Sequence, residues 1–374
     1  MKIGTILGMT AVFLLVIGGS NFYLARRVWQ FLRHFFPNLP VSVLIGLFLL
    51  FVLVLTLGFS RSMLPLPATV KQALGIANAL WMGIYIYLLL FFVLSDVAFL
   101  IFRLFRSADR FPFLSAALIL TAAVSCFGFF HATRIQQKDY SVTIPGAEDM
   151  TIVLISDLHL GAVGSEKRLP EIVEKINALE PDLVCIAGDF FDSDFEAIRD
   201  PDAAEATIKN LHATYGVWAC LGNHDAGATA ADMRAFLQRC GIGMLHDEHT
   251  LIDNKLVLVG RLDGSPIGGY GGLTRQKLPP EGIDAGLPVV VMDHNPGNIH
   301  EYGETYDLIL CGHTHRGQLF PGSLITNWMY TVDYGYYRAD ECSPHVIVSS
   351  GVGTWGLPMR VGTDCEIVRI RIHS

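Results

Sequence analysis

The stretch TIVLISDLHLG, residues 151–161, determines how the rest of the chain is interpreted. It begins with an uninterrupted run of β-branched and aliphatic residues, which is typical of a strand buried on both faces. The run breaks at Asp157-Leu158-His159, and Gly161 marks its end. Residues i and i+2 of an extended segment point the same way. The sequence therefore predicts that Asp157 and His159 present a carboxylate and an imidazole to one point, as metal ligands do.

The same construction, an apolar strand that ends in polar metal-type ligands, recurs four times downstream. The later strand ends carry Gly-Asp at 188–189, Gly-Asn-His-Asp at 222–225, Asp-His-Asn at 293–295 and Gly-His-Thr-His at 312–315. Residues 165–179 have a helical apolar period and separate the first two strands, which predicts a largely parallel α/β sheet covered by helices. Ligands of open α/β sheets bind outside the carboxyl ends of the strands, so we expect the five strand ends to converge on one crevice.

In kind and order these five motifs resemble the signature of the calcineurin-like metallophosphoesterases, over roughly residues 140–374. The resemblance implies a C-terminal α/β domain built as a four-layer metallophosphoesterase sandwich around two metal ions. Position by position, it assigns one ion to Asp157, His159, Asp189 and His315. It assigns the other ion to Asp189, Asn223, His294 and His313, so the Asp189 carboxylate bridges the two.

The residue types also indicate which ions and which chemistry to expect. Mixed nitrogen and oxygen ligands suit Mn, Fe or Zn better than Ca or Mg, and we expect two divalent transition-metal ions, manganese first. The resemblance implies that His224 protonates the leaving oxygen while Asp225 orients and stabilises the ring. Asp192 either stabilises a turn or bonds a ligand histidine. For Arg316 and Arg360, phosphate contact and an ordinary salt bridge both remain open.

The predicted function is that of a membrane-bound dinuclear phosphoesterase, which hydrolyses a phosphate ester or pyrophosphate bond by metal-activated hydroxide. The chain resembles the membrane-anchored branch that includes UDP-diacylglucosamine hydrolases, which implies a lipid- or nucleotide-linked substrate, although a soluble phosphate ester remains open. No nucleic acid partner is expected. Ser193 follows Asp192 where protein Ser/Thr phosphatases of the superfamily usually carry arginine, which argues against a protein phosphatase. The alternatives are a non-catalytic metal-binding sensor or regulatory domain, and a transporter or channel.

The first third of the chain has a different composition from the rest. Residues 1–132 have a net charge of +7 and residues 133–374 a net charge of −15. Four apolar stretches are each long enough to cross a bilayer as a helix, at about residues 4–24, 41–60, 74–102 and 112–132. We therefore predict a four-helix transmembrane domain, residues 1–132, and a catalytic domain, residues 133–374. Asp96 lies near the end of the third stretch, so we expect it to serve an interfacial or helix-packing role.

The loops predict the orientation, because short loops rich in Lys and Arg stay in the cytoplasm. One side carries six such residues, Arg26, Arg27, Arg33, Arg103, Arg106 and Arg110. The other side carries five, Lys2, Arg61, Lys71, Arg134 and Lys138. The sequence thus predicts a multi-pass protein of the cell membrane with an extracytoplasmic catalytic domain.

An aromatic cluster without a clean period occupies residues 328–337 of the catalytic domain. Aromatic residues with polar tips suit a ligand rim or a membrane interface. A loop packed over the core is the alternative interpretation, and the sequence leaves the two open.

Overall fold

The computed structural model describes residues 3–60, 64, 66–277, 283 and 286–374. The chain divides into two compact units, Met1–Gly128 and Phe129–Ser374. Each unit has its own buried cluster of apolar side chains in the described residues.

The first unit consists of long apolar helices, α1 (Ile3–Phe35), α2 (Val41–Ser60), α3 (Ala68–Arg103) and α4 (Phe111–His131), the last of which extends into the second unit. Three segments are long and apolar enough to cross a membrane, Val41–Gly58, Thr69–Arg103 and Phe111–His131. The span predicted over residues 4–24 falls on α1, and its side chains before residue 15 lie outside the described set. The described residues therefore support three spans, and the count of four is not confirmed.

Asp96 is the acidic residue within the third predicted span, and basic and phenolic groups surround it. It forms ion pairs with Arg27 of α1 and with Arg110, whose Nη1 lies 3.0 Å from its Oδ1. The Tyr23 hydroxyl donates to Asp96 Oδ2 at 2.7 Å. Because its partners come from α1 and from the segment before α4, Asp96 joins helices, which is the packing role expected for it.

The second unit contains two six-stranded sheets. Its strands are β1 (Ile135–Thr143), β2 (Met150–Ile155), β3 (Leu183–Ala187), β4 (Val217–Cys220), β5 (Gly243–Met244), β6 (Glu248–Ile252), β7 (Leu256–Gly260), β8 (Val289–Met292), β9 (Leu308–Cys311), β10 (Gly335–Tyr337), β11 (His345–Val348) and β12 (Cys365–His373). The sheet orders are β1-β12-β2-β3-β4-β5 and β10-β11-β9-β8-β7-β6. Neighbouring strands are parallel except β12/β2, β6/β7 and β10/β11. The predicted largely parallel character is confirmed.

The two sheets pack face to face around aliphatic side chains such as Leu154 of β2 and Leu258 of β7. Helices α5 (Ser165–Asn177), α6 (Pro201–Ile208) and α7 (Ala230–Arg239) cover the outer face of the first sheet. In the described part of the chain, the outer face of the second sheet packs against the 3₁₀ helix Pro296–Glu301 and neighbouring loop residues. The fourth layer of the expected sandwich is therefore not confirmed as a layer of α-helices.

The topology brings the five ligand-bearing strands to one edge of the unit. Strands β2, β3 and β4 lie side by side in the first sheet, and β8 and β9 lie side by side in the second. The strands are parallel within each group, so the carboxyl ends of each group lie together at one edge of its sheet. The expected convergence is confirmed at the level of the strands.

Truncation of a side chain between the sheets should destabilise the unit. Leu258 is fully buried in that core, so we expect Leu258→Ala to lower the free energy of unfolding by about 2–5 kcal/mol. Leu251→Ala, on the adjacent strand β6 with a 48% exposed side chain, should change it by less than about 0.5 kcal/mol. Denaturant titration of the full chain in detergent, followed by tryptophan fluorescence, measures both. Equal losses in the two variants would contradict the assigned core.

Candidate metal centre

The predicted ligands lie on loops that follow the strands, and five of the seven have left-handed backbone. Asp157, His159, Asp189, His313 and His315 have φ values between 49° and 72°. Such values are uncommon outside glycine, although Asp and His tolerate them better than most residues. We expected Asp157 and His159 to converge because an extended strand alternates. That reason is wrong, since β2 ends before them and the left-handed residues turn the chain.

The first group of ligand atoms comprises Asp157, His159 and His315. The Nε2 atoms of the two histidines lie 3.1 Å apart, and His315 Nε2 lies 3.3 Å from Asp157 Oδ1. All three side chains are buried. Asp157 also accepts the backbone N–H of His313 at 3.1 Å, which links this group to the loop of the second one.

The second group comprises Asp189, His294 and His313. His294 Nε2 lies 3.1 Å from Asp189 Oδ2 and 3.3 Å from His313 Nδ1. Asn223 joins them, because its Oδ1 lies 2.9 Å from His313 Nδ1. Asp189 Oδ2 also lies 3.8 Å from His159 Nε2 of the first group. The Asp189 carboxylate thus stands between the groups, as a bridging ligand requires.

These donor atoms fit a pair of transition-metal ions. Atoms that share one ion at about 2.0–2.2 Å lie about 3 Å apart, and the closest separations within the groups are 2.9–3.3 Å. Five imidazole or amide donors and two carboxylates form the mixed nitrogen and oxygen set that Mn, Fe and Zn prefer. The site supports two divalent ions, and manganese remains a prediction.

Similarity to known proteins agrees with this geometry. Residues 150–317 match the family described as calcineurin-like phosphoesterase. A Danio rerio protein named transmembrane protein with metallophosphoesterase domain is 30% identical, over 96% of this chain and 86% of its own length. The chain belongs to the calcineurin-like metallophosphoesterases.

Two bacterial proteins are also similar to this chain. An uncharacterized metallophosphoesterase of Helicobacter pylori is 30% identical, and the match spans 60% of each chain. Escherichia coli phosphodiesterase YaeI is 28% identical, over 56% of this chain and 79% of YaeI. The chain therefore spans about 60% of the length of the Helicobacter pylori relative.

Two of the predicted ligand histidines, His159 and His294, are oriented by a contact at the ring nitrogen that does not face the other ligands. His294 Nδ1 lies 2.8 Å from the backbone oxygen of Ala187, which fixes the proton on Nδ1 and leaves Nε2 to bind a metal. His159 Nδ1 lies 3.3 Å from Asp192 Oδ1. The second of the two roles considered for Asp192, contact with a ligand histidine, is the one observed.

Arg360 holds the third oriented histidine and was not predicted in this role. Its buried guanidinium lies 3.1 Å from His315 Nδ1 and donates to the backbone oxygens of Ser350, at 2.7 Å, and Gly353, at 2.6 Å. Neither role considered for Arg360 is observed, since the side chain is fully buried and, among the described residues, it contacts backbone oxygens, the Thr363 hydroxyl and His315. Arg316 instead lies over the Tyr334 ring, with its guanidinium carbon 4.4 Å from the ring centre.

His224 borders the first group of ligands, but Asp225 does not contact its ring. The Asp225 carboxylate accepts the backbone N–H groups of Phe191 and Gly222, both at 2.9 Å. Burial, with a further contribution from Asp189, raises the pKa of Asp225 to about 7. The expected orienting role is therefore wrong, because the carboxylate is used to join two ligand loops.

Ser193 occupies the position that Asp225 was expected to fill. Its Oγ lies 2.5 Å from His224 Nδ1, and the ring centre of His224 lies 5.0 Å from that of His159. The His224 backbone N–H donates to Asp189 Oδ1 at 2.8 Å. The sequence did mark Ser193 as a departure from the protein phosphatases, but nothing in the local pattern indicated this contact.

The bridging position predicted for Asp189 implies that loss of its carboxylate should empty both metal positions. We expect Asp189→Asn to reduce bound metal from about two ions per chain to well below one, because a single substitution weakens both groups. His159→Ala and His294→Ala should each reduce it by about one ion. Inductively coupled plasma mass spectrometry of the purified full chain measures the stoichiometry. Loss of a single ion in Asp189→Asn would contradict the bridging assignment.

Proposed function

We propose that the protein is a membrane-bound phosphoesterase that hydrolyses a phosphate ester or pyrophosphate bond at a dinuclear metal centre. The observation that carries this proposal is the convergence of the seven predicted ligand residues from five strand ends, with His224 beside them. A binding module without catalysis would not need an imidazole at this position. Membership of the metallophosphoesterase family supports the same conclusion.

The chain's own residues divide the work of hydrolysis. Two divalent ions bound by the seven ligands would supply positive charge for phosphoryl oxygens and lower the pKa of coordinated water. The contacts of Ala187, Asp192 and Arg360 hold the ligand rings in place. The Asp225 carboxylate keeps the Asn223 loop against the Asp189 loop through its two backbone hydrogen bonds.

His224 is the residue proposed to donate a proton to the leaving oxygen. It is partly exposed, whereas the ligands Asp157, His159 and His294 are buried, so it faces the side from which a substrate arrives. Ser193 Oγ, 2.5 Å from Nδ1, fixes the ring orientation and leaves Nε2 as the nitrogen proposed to donate the proton. Ser193 is therefore a positioning residue.

The proposed substrate is a lipid- or nucleotide-linked phosphate ester. Similarity to a relative named phosphodiesterase supports ester cleavage, and the apolar spans keep the reaction close to a bilayer. The extended match to a transmembrane relative supports tethering as a property of the whole chain.

The proposal predicts turnover that depends on metal and on His224. The purified full chain should hydrolyse bis-nitrophenyl phosphate when manganese is added. His224→Ala should retain about two ions yet slow substrates with poor leaving groups by roughly 10²-fold or more, because general acid catalysis is lost. Ser193→Ala should show a smaller loss in the same assay. No turnover with any divalent ion, or equal loss of metal in His224→Ala, would overturn the proposal.

We further propose that the catalytic unit lies outside the cytoplasm, because six Lys and Arg residues flank one side of the spans and five the other. Lys2 and Arg61, two of the five, lie outside the described residues. The acidic net charge of residues 133–374 does not oppose this orientation, since acidic residues contribute little to it.

The orientation can be tested with reporters fused after Ser374. Alkaline phosphatase should be active at this position, because it folds only outside the cytoplasm, and a GFP fusion should remain dark. Fusions after Arg106, in the loop predicted to be cytoplasmic, provide the matched control with the opposite pattern. A fluorescent GFP fusion after Ser374 would reject the proposal.

A further inference from the structure

We propose that an exposed apolar surface beside the metal centre docks the catalytic unit onto the lipid bilayer. The surface, here called the apolar rim, consists of side chains from helix α8 (Gly322–Met329) and from two flanking loops, Phe320, Leu324, Ile325, Trp328, Met329 and Trp355. Hydrolysis itself does not require such a surface. The proposal therefore concerns where the active site is held.

Helix α8 exposes its apolar side chains. Trp328 is 85% exposed, and Leu324, Ile325 and Met329 are between 58% and 63% exposed. None of the eight residues of α8 is charged or buried. The four side chains lie at spacings of one, three and four residues, which places them on adjoining parts of the helix surface. A contiguous exposed apolar patch of this kind marks an interaction surface.

Polar and backbone contacts, rather than its apolar side chains, hold α8 in position. Thr326 Oγ1 donates to Asp333 Oδ2 at 2.6 Å, and Thr314 Oγ1 donates to the Asp333 backbone oxygen at 2.6 Å. A Cβ atom on Gly317 would lie 2.2 Å from the carbonyl carbon of Gly322, so the backbone before α8 packs directly against its first residue. The helix is therefore fixed while its apolar face stays free for another surface.

The apolar rim borders the metal centre. The Trp355 and His224 ring centres are 6.0 Å apart, and those of Tyr330, which follows α8, and His313 are 6.2 Å apart. Gln318 Nε2 donates to the backbone oxygen of Trp355 at 3.0 Å, which joins the two parts of the rim. Whatever binds the rim thus lies next to the proposed proton donor and a metal ligand.

The place where the chain leaves the last candidate span identifies the occupant as the bilayer. Helix α4 ends at His131 and β1 begins at Ile135, and the three residues between them reach at most about 10 Å. His131 Nε2 lies 2.9 Å from Asp364 Oδ1. Three residues before Asp364, the Val361 backbone oxygen accepts the Phe320 N–H at 2.8 Å. The rim therefore begins close to the point of membrane attachment.

The chemistry of both places suits a membrane interface. Tryptophan is enriched at the level of the lipid headgroups, with aliphatic side chains below it. At the attachment point, the exposed Phe130 lies under the Arg134 guanidinium, whose carbon is 4.8 Å from the ring centre. Helix α8 has no charged side chain with which to bind a partner protein through charge. An uncharged helix that carries an exposed tryptophan and lies near a membrane span is suited to contact lipid.

This position has a consequence for substrate, which rests on the proposed function. An active site bordered by lipid would receive amphiphilic phosphate esters from the plane of the membrane. Hydrolysis of such esters should be faster in a bilayer than hydrolysis of a soluble ester of the same reactivity. Docking itself can be measured without any turnover.

The test uses the full chain in phosphatidylcholine nanodiscs, with the exposed Cys126 and Cys342 replaced by serine. An environment-sensitive fluorophore is attached through Trp328→Cys, and through Leu251→Cys as the control. Leu251 is also exposed, in the edge strand β6. Doxyl-labelled lipids should quench the probe at position 328 at least twofold more than the probe at position 251. Because both labels replace exposed side chains, neither variant removes a core contact.

Equal quenching at the two positions would overturn the proposal. So would a probe at position 328 that is shielded only when two copies share a nanodisc, because the occupant would then be a second copy. A second measurement uses Leu324→Glu with Ile325→Glu, which should remove the excess quenching at position 328. This variant should hydrolyse bis-nitrophenyl phosphate at a rate within twofold of the unsubstituted chain. If the substitutions slowed hydrolysis of soluble and bilayer-held substrates equally, a docking role for the rim would be rejected.

Discussion

The second unit depends on one constraint, that the seven predicted ligands, which follow strands of two different sheets, must each bring a ligand atom to between 2.9 and 3.9 Å from a neighbouring one. Five of the ligands meet it with left-handed backbone, at a cost of order 1–3 kcal/mol each. The cost is tolerated because the surrounding structure determines these turns. Asp157 N–H donates to the Gly188 oxygen at 3.0 Å, and His159 N–H to the Asp189 oxygen at 3.1 Å. The loop after β2 is thereby hydrogen-bonded to the loop after β3, above strands whose side chains fill the core.

The same constraint explains the glycines that precede the ligands. A Cβ on Gly222 would lie 2.2 Å from Asp189 Oδ1, and one on Gly312 would lie 2.4 Å from Asp157 Oδ2. Any side chain at either position would displace a carboxylate of the centre. These glycines are therefore required by the close approach of neighbouring loops, in addition to any local turn.

The residues that the sequence predicted as ligands come together in the structure. Each one lies within four residues of the end of a strand, so the pattern of apolar run and polar end is local. The sequence predicted their surroundings poorly. Arg360 lies 45 residues from His315, and Ser193 lies 31 residues from His224, so loop geometry alone determines these contacts. Asp225 was assigned to its neighbour His224 for the same reason of proximity in sequence. The backbone turn at that position directs its carboxylate to the N–H groups of Phe191 and Gly222 instead.

Electrostatic compensation distinguishes the two units and locates the chemistry in the second. In the first unit, Asp96 has Arg27, Arg110 and Tyr23 as partners, so its charge is matched within the protein. That matching removes the main reason to consider an ion path through the described helices.

At the strand ends, by contrast, imidazole nitrogens face one another at 3.1 and 3.3 Å beside two carboxylates. Such an arrangement is stabilised by cations, since neither a proton nor a single basic side chain can satisfy all seven ligands at once. Cations bound there would supply a local positive charge that attracts an anionic phosphate. This attraction would exceed the repulsion from the net charge of −15 on residues 133–374, because repulsion from distant surface charges is screened beyond about 8–10 Å.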